Sequence, residues 1–278
     1  MPSSYICRLF QKPIRQEDVA SPMEYVISKK IDQFFISITE AFSFIGRFFK
    51  EAVKPPYEGN EILRQCYDIG VKSLALITVT GLITGLVFTK QSRPPLAEFG
   101  ATSWLPSLVG IAVVKSLAPL VTALICAGKV GSSIGAELGS MKVTEQIDAM
   151  DVSGVNAFKY LVVTRVLAAS FMLPMLMMYS AFVGLMGSFI DIHANEQTSL
   201  ITFFQKAFEK ITFLDYGSSI FRAIVFGFTI SIIGCYKGYT TTQGTQGVGK
   251  SANLAVVISM FLIFIEEMVI IQIVNWMR

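Results

Sequence analysis

The chain has 278 residues, of which 53% are hydrophobic and 15% are charged, and its mean hydropathy is +0.57. Charged residues make up about one quarter of an ordinary soluble domain. The composition therefore excludes that class and indicates a membrane protein. The formal net charge of +3 is too small to indicate nucleic-acid binding.

Cysteine and histidine give no basis for a metal centre or for catalysis. No CxxC or other metal-ligand spacing relates the four cysteines, which are Cys7, Cys66, Cys126 and Cys235. They favour packing roles, and His193 cannot form a metal site alone. We therefore expect no metal, no cofactor and no catalytic residue. Residues 1–25 lack the apolar segment of a signal peptide, so none is expected to be cleaved.

The first predicted element is an amphipathic helix. From Ile31 to Lys50, apolar residues recur at helical spacing with polar residues between them. The segment is too charged to span a membrane but rich in phenylalanine, which favours a helix in the headgroup layer. Packing on another protein surface is the alternative. We assign residues 1–28 as irregular, 29–56 as the interfacial helix, and 57–278 as the membrane-spanning domain.

Five segments are long and apolar enough to cross a bilayer, which takes about 20 residues of helix. They are approximately Ile69–Thr89, Trp104–Ala127, Phe158–Ile190, Gly217–Tyr236 and Leu254–Trp276. Lysine and arginine are concentrated before the first span, between the second and third, and between the fourth and fifth. Residues 191–216 are more acidic. The positive-inside rule therefore places the N-terminus in the cytoplasm and the C-terminus outside.

Two short patterns lie in or beside these spans. Gly81 and Gly85 form a GxxxG pair, which allows another helix to approach closely. Residues 244–251 match the phosphate-loop pattern G-x-x-x-x-G-K-[ST]. A true phosphate loop joins a buried strand to a helix of a soluble sheet, whereas apolar runs flank this one. We interpret it as a flexible, basic cytoplasmic turn that binds no nucleotide.

Ionisable residues inside the spans are candidates for function, because a charge at bilayer depth is costly unless paired. Lys115 lies in the second span and Glu267 in the fifth. A rise of about 1.5 Å per residue brings them to similar depth on antiparallel helices. We predict a direct Lys115–Glu267 contact or a shared cavity. Two interpretations stay open: the two side chains hold the helices together, or they contact lipid.

The segment between the second and third spans begins glycine-rich and ends as a short acidic helix, predicted over 138–151. Its apolar residues are Met141, Ile147 and Met150, and its acidic residues are Glu145, Asp148 and Asp151. A charged helix tethered between two spans suits docking of a soluble partner at the membrane surface. A solvated loop helix is the alternative.

Three parts of the sequence resemble one family. They are Ala118–Gly131 with Ala136–Met150, Tyr160–Ala168, and Gly238-Tyr239 with Gly247–Lys250 and Ala255–Val257. The resemblance covers about residues 30–276 and is to the MlaE/YrbE permeases. It implies a homodimeric permease of an ABC transporter that moves lipids between membranes. It also implies a cytosolic ATPase bound to the short helix and an MCE-domain protein on the outer side.

The resemblance also implies residue roles. Lys115 falls where the family commonly has arginine, and Glu267 where it has an acidic residue. The family typically reads Arg-Glu-Leu-Gly-Pro where this chain has Lys115-Ser-Leu-Ala-Pro119, so the role of the missing glutamate does not carry over to Ser116. The ATPase-coupling segment would include Glu137, Met141, Lys142, Glu145, Gln146, Asp148, Met150 and Asp151.

We therefore predict an all-α integral protein of the bacterial inner membrane with an interfacial helix, five spans and a cytoplasmic coupling helix. Lipid, in particular phospholipid, would occupy a cavity at the dimer interface, lined by the first, second and fifth spans. Two other classes explain less. An intramembrane enzyme would need a nucleophile or metal cluster. A non-transporting scaffold that assembles an ATPase and an external partner would not need buried charges.

Overall fold

The computed structural model of the protein describes residues 22–55, 58–242 and 244–276, and every regular element in these ranges is helical. The α-helices are α1 (Pro22–Ala52), α2 (Gly59–Glu98), α3 (Leu105–Ala112), α4 (Ala118–Cys126), α5 (Ser132–Val143), α6 (Gln146–Val152), α7 (Thr164–Glu196), α8 (Leu200–Glu209), α9 (Phe213–Tyr239) and α10 (Gly244–Trp276). The predicted all-α class is confirmed.

Five helical segments of the described chain have the length and composition to cross a membrane, as predicted. They are Gly59–Glu98, Thr102–Val143, Lys159–Glu196, Phe213–Tyr239 and Gly244–Trp276. The second joins α3, α4 and α5 through π turns at Val113–Leu117 and Ala127–Gly131. Each segment extends past its predicted bounds at one end or at both, because polar residues continue a helix past the apolar run by which a span is recognised.

The described part of the chain divides into two units, the first ending at Arg47 and the second beginning at Phe48. Helix α1 begins at Pro22, so residues 22–28 are helical rather than irregular, and proline is well suited to the first turn of a helix. Residues 1–21 lie outside the described residues. The helix ends at Ala52, before Pro55, rather than at residue 56. The placement of this helix in the headgroup layer stays a prediction.

Glycines set the closest helix contact in the second unit, where α2 packs along α7. A Cβ added to Gly85 would overlap the backbone carbonyl of Gly184, and one added to Gly81 would lie 3.2 Å from the carbonyl oxygen of Ser180. The GxxxG pair therefore allows α2 to pack closely against α7 of the same chain.

The glycine-rich stretch after the predicted end of the second span is not a loop but continues that helical segment, and this corrects the predicted helix bounds. It is the π turn at Ala127–Gly131 followed by α5. A Cβ at Gly135 would lie 3.2 Å from Ala252 Cα, and one at Gly139 would lie 3.1 Å from Ser251 Oγ. Packing against α10 offsets the low helix propensity of glycine.

The segment 244–251 is also helical, so the predicted flexible turn is wrong. It forms the first two turns of α10, and Gly249 and Lys250 lie inside the helix. Gly244 has a φ of +57°, which starts the helix after the connection from α9. A regular helix does not present the successive amide groups that a phosphate loop wraps around a nucleotide.

Candidate functional site

The segment predicted as a single helix over 138–151 consists of two helices, namely the end of α5, which belongs to the second membrane-crossing segment, and α6. α5 ends at Val143, and α6 begins at Gln146. Between them Glu145 has a φ of +59°, a left-handed conformation that ends the α5 hydrogen-bond ladder and redirects the chain. The buried side chain of Ile147 anchors α6 to the rest of the protein. We call Val143–Val152 the coupling joint.

Several of the predicted coupling residues form ion pairs or hydrogen bonds with other residues of the same chain. Lys142 Nζ lies 2.8 Å from Asp148 Oδ1, which ties α5 to α6. The backbone N–H of Ala157 donates to Asp151 Oδ1 at 3.1 Å. These contacts hold the coupling joint in place. The exposed residues of the joint are Thr144, Glu145, Gln146, Asp148, Ala149, Asp151 and Val152, whereas Met141 and Met150 are half-buried.

Glu137 contacts a residue that sequence reasoning missed. Its Oε1 lies 2.8 Å from Arg165 NH2, and the Arg165 side chain is only 2% exposed. The NH1 of Arg165 donates to the carbonyl of Leu161 at 2.8 Å. Glu137 therefore connects α5 to the first turn of α7. Arg165 is a charged residue inside the third predicted span, and the rule for intramembrane charges would have identified it from the sequence.

Lys115 and Glu267 do not pair with each other, so the predicted contact is wrong. Lys115 Nζ lies 3.0 Å from Asp215 Oδ1. Asp215 is in the first turn of α9, where its Oδ2 also accepts a hydrogen bond from the Thr212 N–H at 3.3 Å. The prediction failed because the fourth span starts at Phe213 rather than Gly217, which brings Asp215 into the helix.

Glu267 pairs instead with Arg222 of α9. Arg222 NH1 lies 2.9 Å from Glu267 Oε1 and donates to the carbonyl oxygen of Lys115 at 3.0 Å. The Lys115 carbonyl belongs to a π turn, where the α-helical hydrogen-bond pattern is interrupted. One guanidinium thus joins the second, fourth and fifth spans. The intramembrane-charge rule applied to Arg222 would have identified it from the sequence.

This charge cluster is buried and only partly satisfied. Arg222 is fully buried, and its Nε and NH2 have no hydrogen-bond partner among the described residues. The neighbouring Glu266 accepts a hydrogen bond from Thr229 Oγ1 at 2.6 Å. Breaking such a network leaves an unpaired buried charge, which is strongly destabilising.

A large apolar cavity opens at the other end of the spans from the coupling joint. Its volume is about 650 Å³. It is lined by Phe88, Leu96, Ala101, Trp104, Ser107, Leu108, Ile111, Ala112 and Lys210. Lys210 Nζ lies 3.8 Å from the centre of the Trp104 ring. We call this the outer cavity; neither Lys115 nor Glu267 lines it.

Helices long and apolar enough to cross a membrane, with ionic contacts between them, are the features of an integral membrane protein. The sequence identifies the family. Residues 62–273 match the family model described as Permease MlaE. The chain therefore belongs to the MlaE family and is an ABC transporter permease, a type of subunit that works with an ATPase.

Similar proteins agree with this assignment. The chain is 37% identical over 234 residues to a probable ABC transporter permease of Synechocystis sp., covering 84% of this chain and 89% of that protein. It is 35% identical over 237 residues to a probable ABC transporter permease of Rickettsia typhi, covering 85% and 91%. It is 32% identical over 225 residues to the chloroplastic protein trigalactosyldiacylglycerol 1 of Arabidopsis thaliana, covering 81% and 64%.

Proposed function

We propose that this permease moves lipids, in particular phospholipids, between membranes. The outer cavity is the observation that carries the proposal. Its wall is almost wholly apolar, and its volume of about 650 Å³ is within the usual range for small-molecule sites. Lys210 and Trp104 stand at its rim, so a cation and an amphipathic ring lie beside an apolar chamber. An acyl chain in the chamber with a phosphate near Lys210 fits this distribution.

The relative from Arabidopsis supports a lipid as the transported molecule, since it is named after a galactolipid. The two relatives described as ABC permeases support a transport role. We infer from these together that the cavity accepts a lipid rather than a small polar solute. Phospholipid is favoured because a lysine at the rim complements a phosphate group.

We further propose that a cytosolic ATPase docks on the coupling joint. Glu145 and Gln146 are exposed there, and Val152 is 90% exposed at the end of α6. An exposed aliphatic side chain beside exposed polar groups suits a protein interface with an apolar centre and a polar rim. The intramolecular contacts of Lys142, Asp148 and Asp151 would transmit movement of the ATPase to α5 and α7.

A homodimer in the bacterial inner membrane completes the proposal. The first and fifth spans are the least buried, with 22% and 28% of their most apolar windows covered, against 72% for the fourth. These two spans are therefore the surfaces available to a second copy. The coupling joint would face the cytoplasm, and an MCE-domain protein would bind at the opposite end, over the outer cavity.

The test is ATP-dependent transfer of a fluorescent phospholipid from proteoliposomes that contain the permease, its ATPase and the MCE-domain protein. Leu108→Trp, which fills the outer cavity, should reduce transfer at least tenfold while the ATPase still co-purifies. Leu167→Trp is the matched control, because Leu167 is similarly exposed on α7 and does not line the cavity. A complex that assembles but transfers no lipid would favour the scaffold instead.

A further inference from the structure

Helix α8 connects the third and fourth spans at the end opposite the coupling joint, and it is sunk between the spans rather than held above them. Its Phe203 ring packs on Phe189 of α7, with the ring centres 5.6 Å apart. A Cβ at Gly110 of α3 would overlap the backbone carbonyl of Ala207. At a rise of about 1.5 Å per residue, Phe189 lies about 10 Å inside the end of α7, and Gly110 lies about 9 Å beyond Trp104. The buried side of α8 therefore contacts residues that belong to the apolar spans.

The side chains of α8 form three strips along the helix, because each residue turns by about 100°. The first strip, Phe203 and Ala207, is buried in these contacts. Next around the helix comes an apolar strip that the chain does not cover, in which Phe204 is half-buried and the other members are exposed. Its members are Leu200, Ile201, Phe204 and Phe208. A polar, exposed strip follows, formed by Thr202, Gln205 and Glu209. An uncovered apolar strip beside a polar one is typical of a helix at a membrane–water boundary.

The depth of α8 indicates that lipid covers the apolar strip. The buried strip contacts residues inside two spans, so the neighbouring apolar strip lies at the depth where outward-facing side chains of the spans meet acyl chains. Exposing such side chains to water would be unfavourable. A second copy is not expected there, because α8 packs on the second and third spans, whereas the first and fifth are the surfaces proposed for the dimer. An external protein over the outer cavity would approach from the water, on the side of the polar strip.

We propose that α8 lies in the boundary layer of the bilayer on the side opposite the coupling joint, with its apolar strip inserted among the acyl chains of the lipids. Amphipathic helices of this kind bury their apolar face about 5–10 Å into the boundary layer. The placement also sets the height of Lys210, which caps the C-terminus of α8 and lies over the Trp104 ring at the rim of the outer cavity. The cavity would then open among the lipid headgroups, a consequence that rests on the proposed function.

Nitroxide spin labels on the full-length protein in phosphatidylcholine vesicles test this placement. Phe208→Cys places a label on the apolar strip, and Thr202→Cys places the matched control label on the polar strip of the same helix. Both are made in a chain whose four cysteines are replaced by alanine. Oxygen is concentrated among acyl chains, whereas a nickel chelate stays in water. The ratio of collisions with oxygen to collisions with the chelate should be about threefold or more higher for the label at 208.

Photolabelling of the unmodified protein gives an independent measurement, which decides the question even if the labelled variants do not fold. The probe is a phospholipid that carries a diazirine in the upper part of one acyl chain. Mass spectrometry should find it on Leu200, Ile201 or Phe208 about fivefold or more above its level on Thr202 and Glu209.

Four results would overturn the proposal. Equal access of the nickel chelate to both spin labels would place the apolar strip in water. Protection of the label at 208 from both reagents would indicate a protein contact, and dipolar broadening between labels would identify a second copy. Loss of its oxygen access when the MCE-domain protein is added would mark a docking surface for that protein. Equal photolabelling of the two strips would remove the difference in depth. None of these measurements needs transport, so their failure is distinct from failure of the proposed function.

Discussion

Arg222 and Glu267 form an ion pair of 2.9 Å between α9 and α10, and Arg222 also reaches the backbone carbonyl of Lys115 at 3.0 Å. The guanidinium is fully buried, so the pair cannot exchange its partners for water. It acts as a clasp between three spans. Lys115 contributes only its backbone carbonyl to this clasp, while its ammonium group forms an ion pair with Asp215.

Removing one partner of this clasp should be severely destabilising. Arg222→Met or Glu267→Gln alone should lower the free energy of unfolding by about 3–5 kcal/mol, because a buried polar group is left unpaired. The double variant should cost clearly less than the sum of the two. Thermal unfolding in detergent measures all three. Strict additivity would show that the two side chains do not interact.

The Lys115–Asp215 pair should behave differently, because Asp215 also caps α9. Lys115→Met removes only the ion pair and should cost about 1.5–3 kcal/mol. Asp215→Ala removes the pair and the hydrogen bond from the Thr212 N–H, which should add about 1 kcal/mol. The same unfolding assay compares them. Equal losses would mean that the cap contributes nothing.

The close packing of α2 on α7 should not tolerate a side chain at Gly85. Gly85→Ala places a methyl group against the Gly184 carbonyl and should destabilise the protein by about 1–3 kcal/mol. Gly217→Ala is the control, since no atom lies within 4 Å of a Cβ there. Because alanine favours a helix, the control should be neutral or stabilising. Equal melting temperatures for both variants would contradict the packing.

Binding of the ATPase should depend on the exposed end of the coupling joint. Val152→Asp puts a charge at the centre of the proposed interface and should reduce ATPase co-purification at least tenfold while membrane insertion is retained. Val53→Asp is the control, because Val53 is 77% exposed at the same end of the spans and outside the joint. Asp148→Lys would be a poorer test, since it also places a second lysine beside Lys142. Full ATPase binding by the Val152 variant would place the interface elsewhere.

The phosphate-loop pattern at 244–251 should be inert toward nucleotide. These residues are helical, so their amide groups already bond within α10 beyond its first turn. The isolated permease should bind ATP without saturation in equilibrium dialysis. Lys250→Ala should leave the nucleotide affinity of the whole complex unchanged. Saturable ATP binding by this subunit alone would contradict both expectations.

The coupling joint illustrates how far sequence reasoning reached into the candidate site. The acidic character of 145–151 is visible locally, and a helix does form at Gln146–Val152. The break at Glu145 was not visible, because only the fold holds a residue other than glycine in a left-handed conformation. The sequence also left open which acidic groups face outward. In the structure Glu145, Asp148 and Asp151 are all exposed, and Asp148 and Asp151 also have partners within the chain.

The amino-acid sequence by itself determined the membrane class, the number of spans and the family. Span length and apolarity are properties of consecutive residues, and the family resemblance rests on contiguous blocks, so neither needs knowledge of distant contacts. Only the tertiary structure decided which charges meet. Each residue turns a helix by about 100°, so every span carries side chains on all of its faces, and only the packing of the helices decides which faces meet. Lys115 therefore binds Asp215, and Glu267 binds Arg222. The glycine-rich stretch before the joint is helical for the same kind of reason, because packing against α10 outweighs its weak local preference.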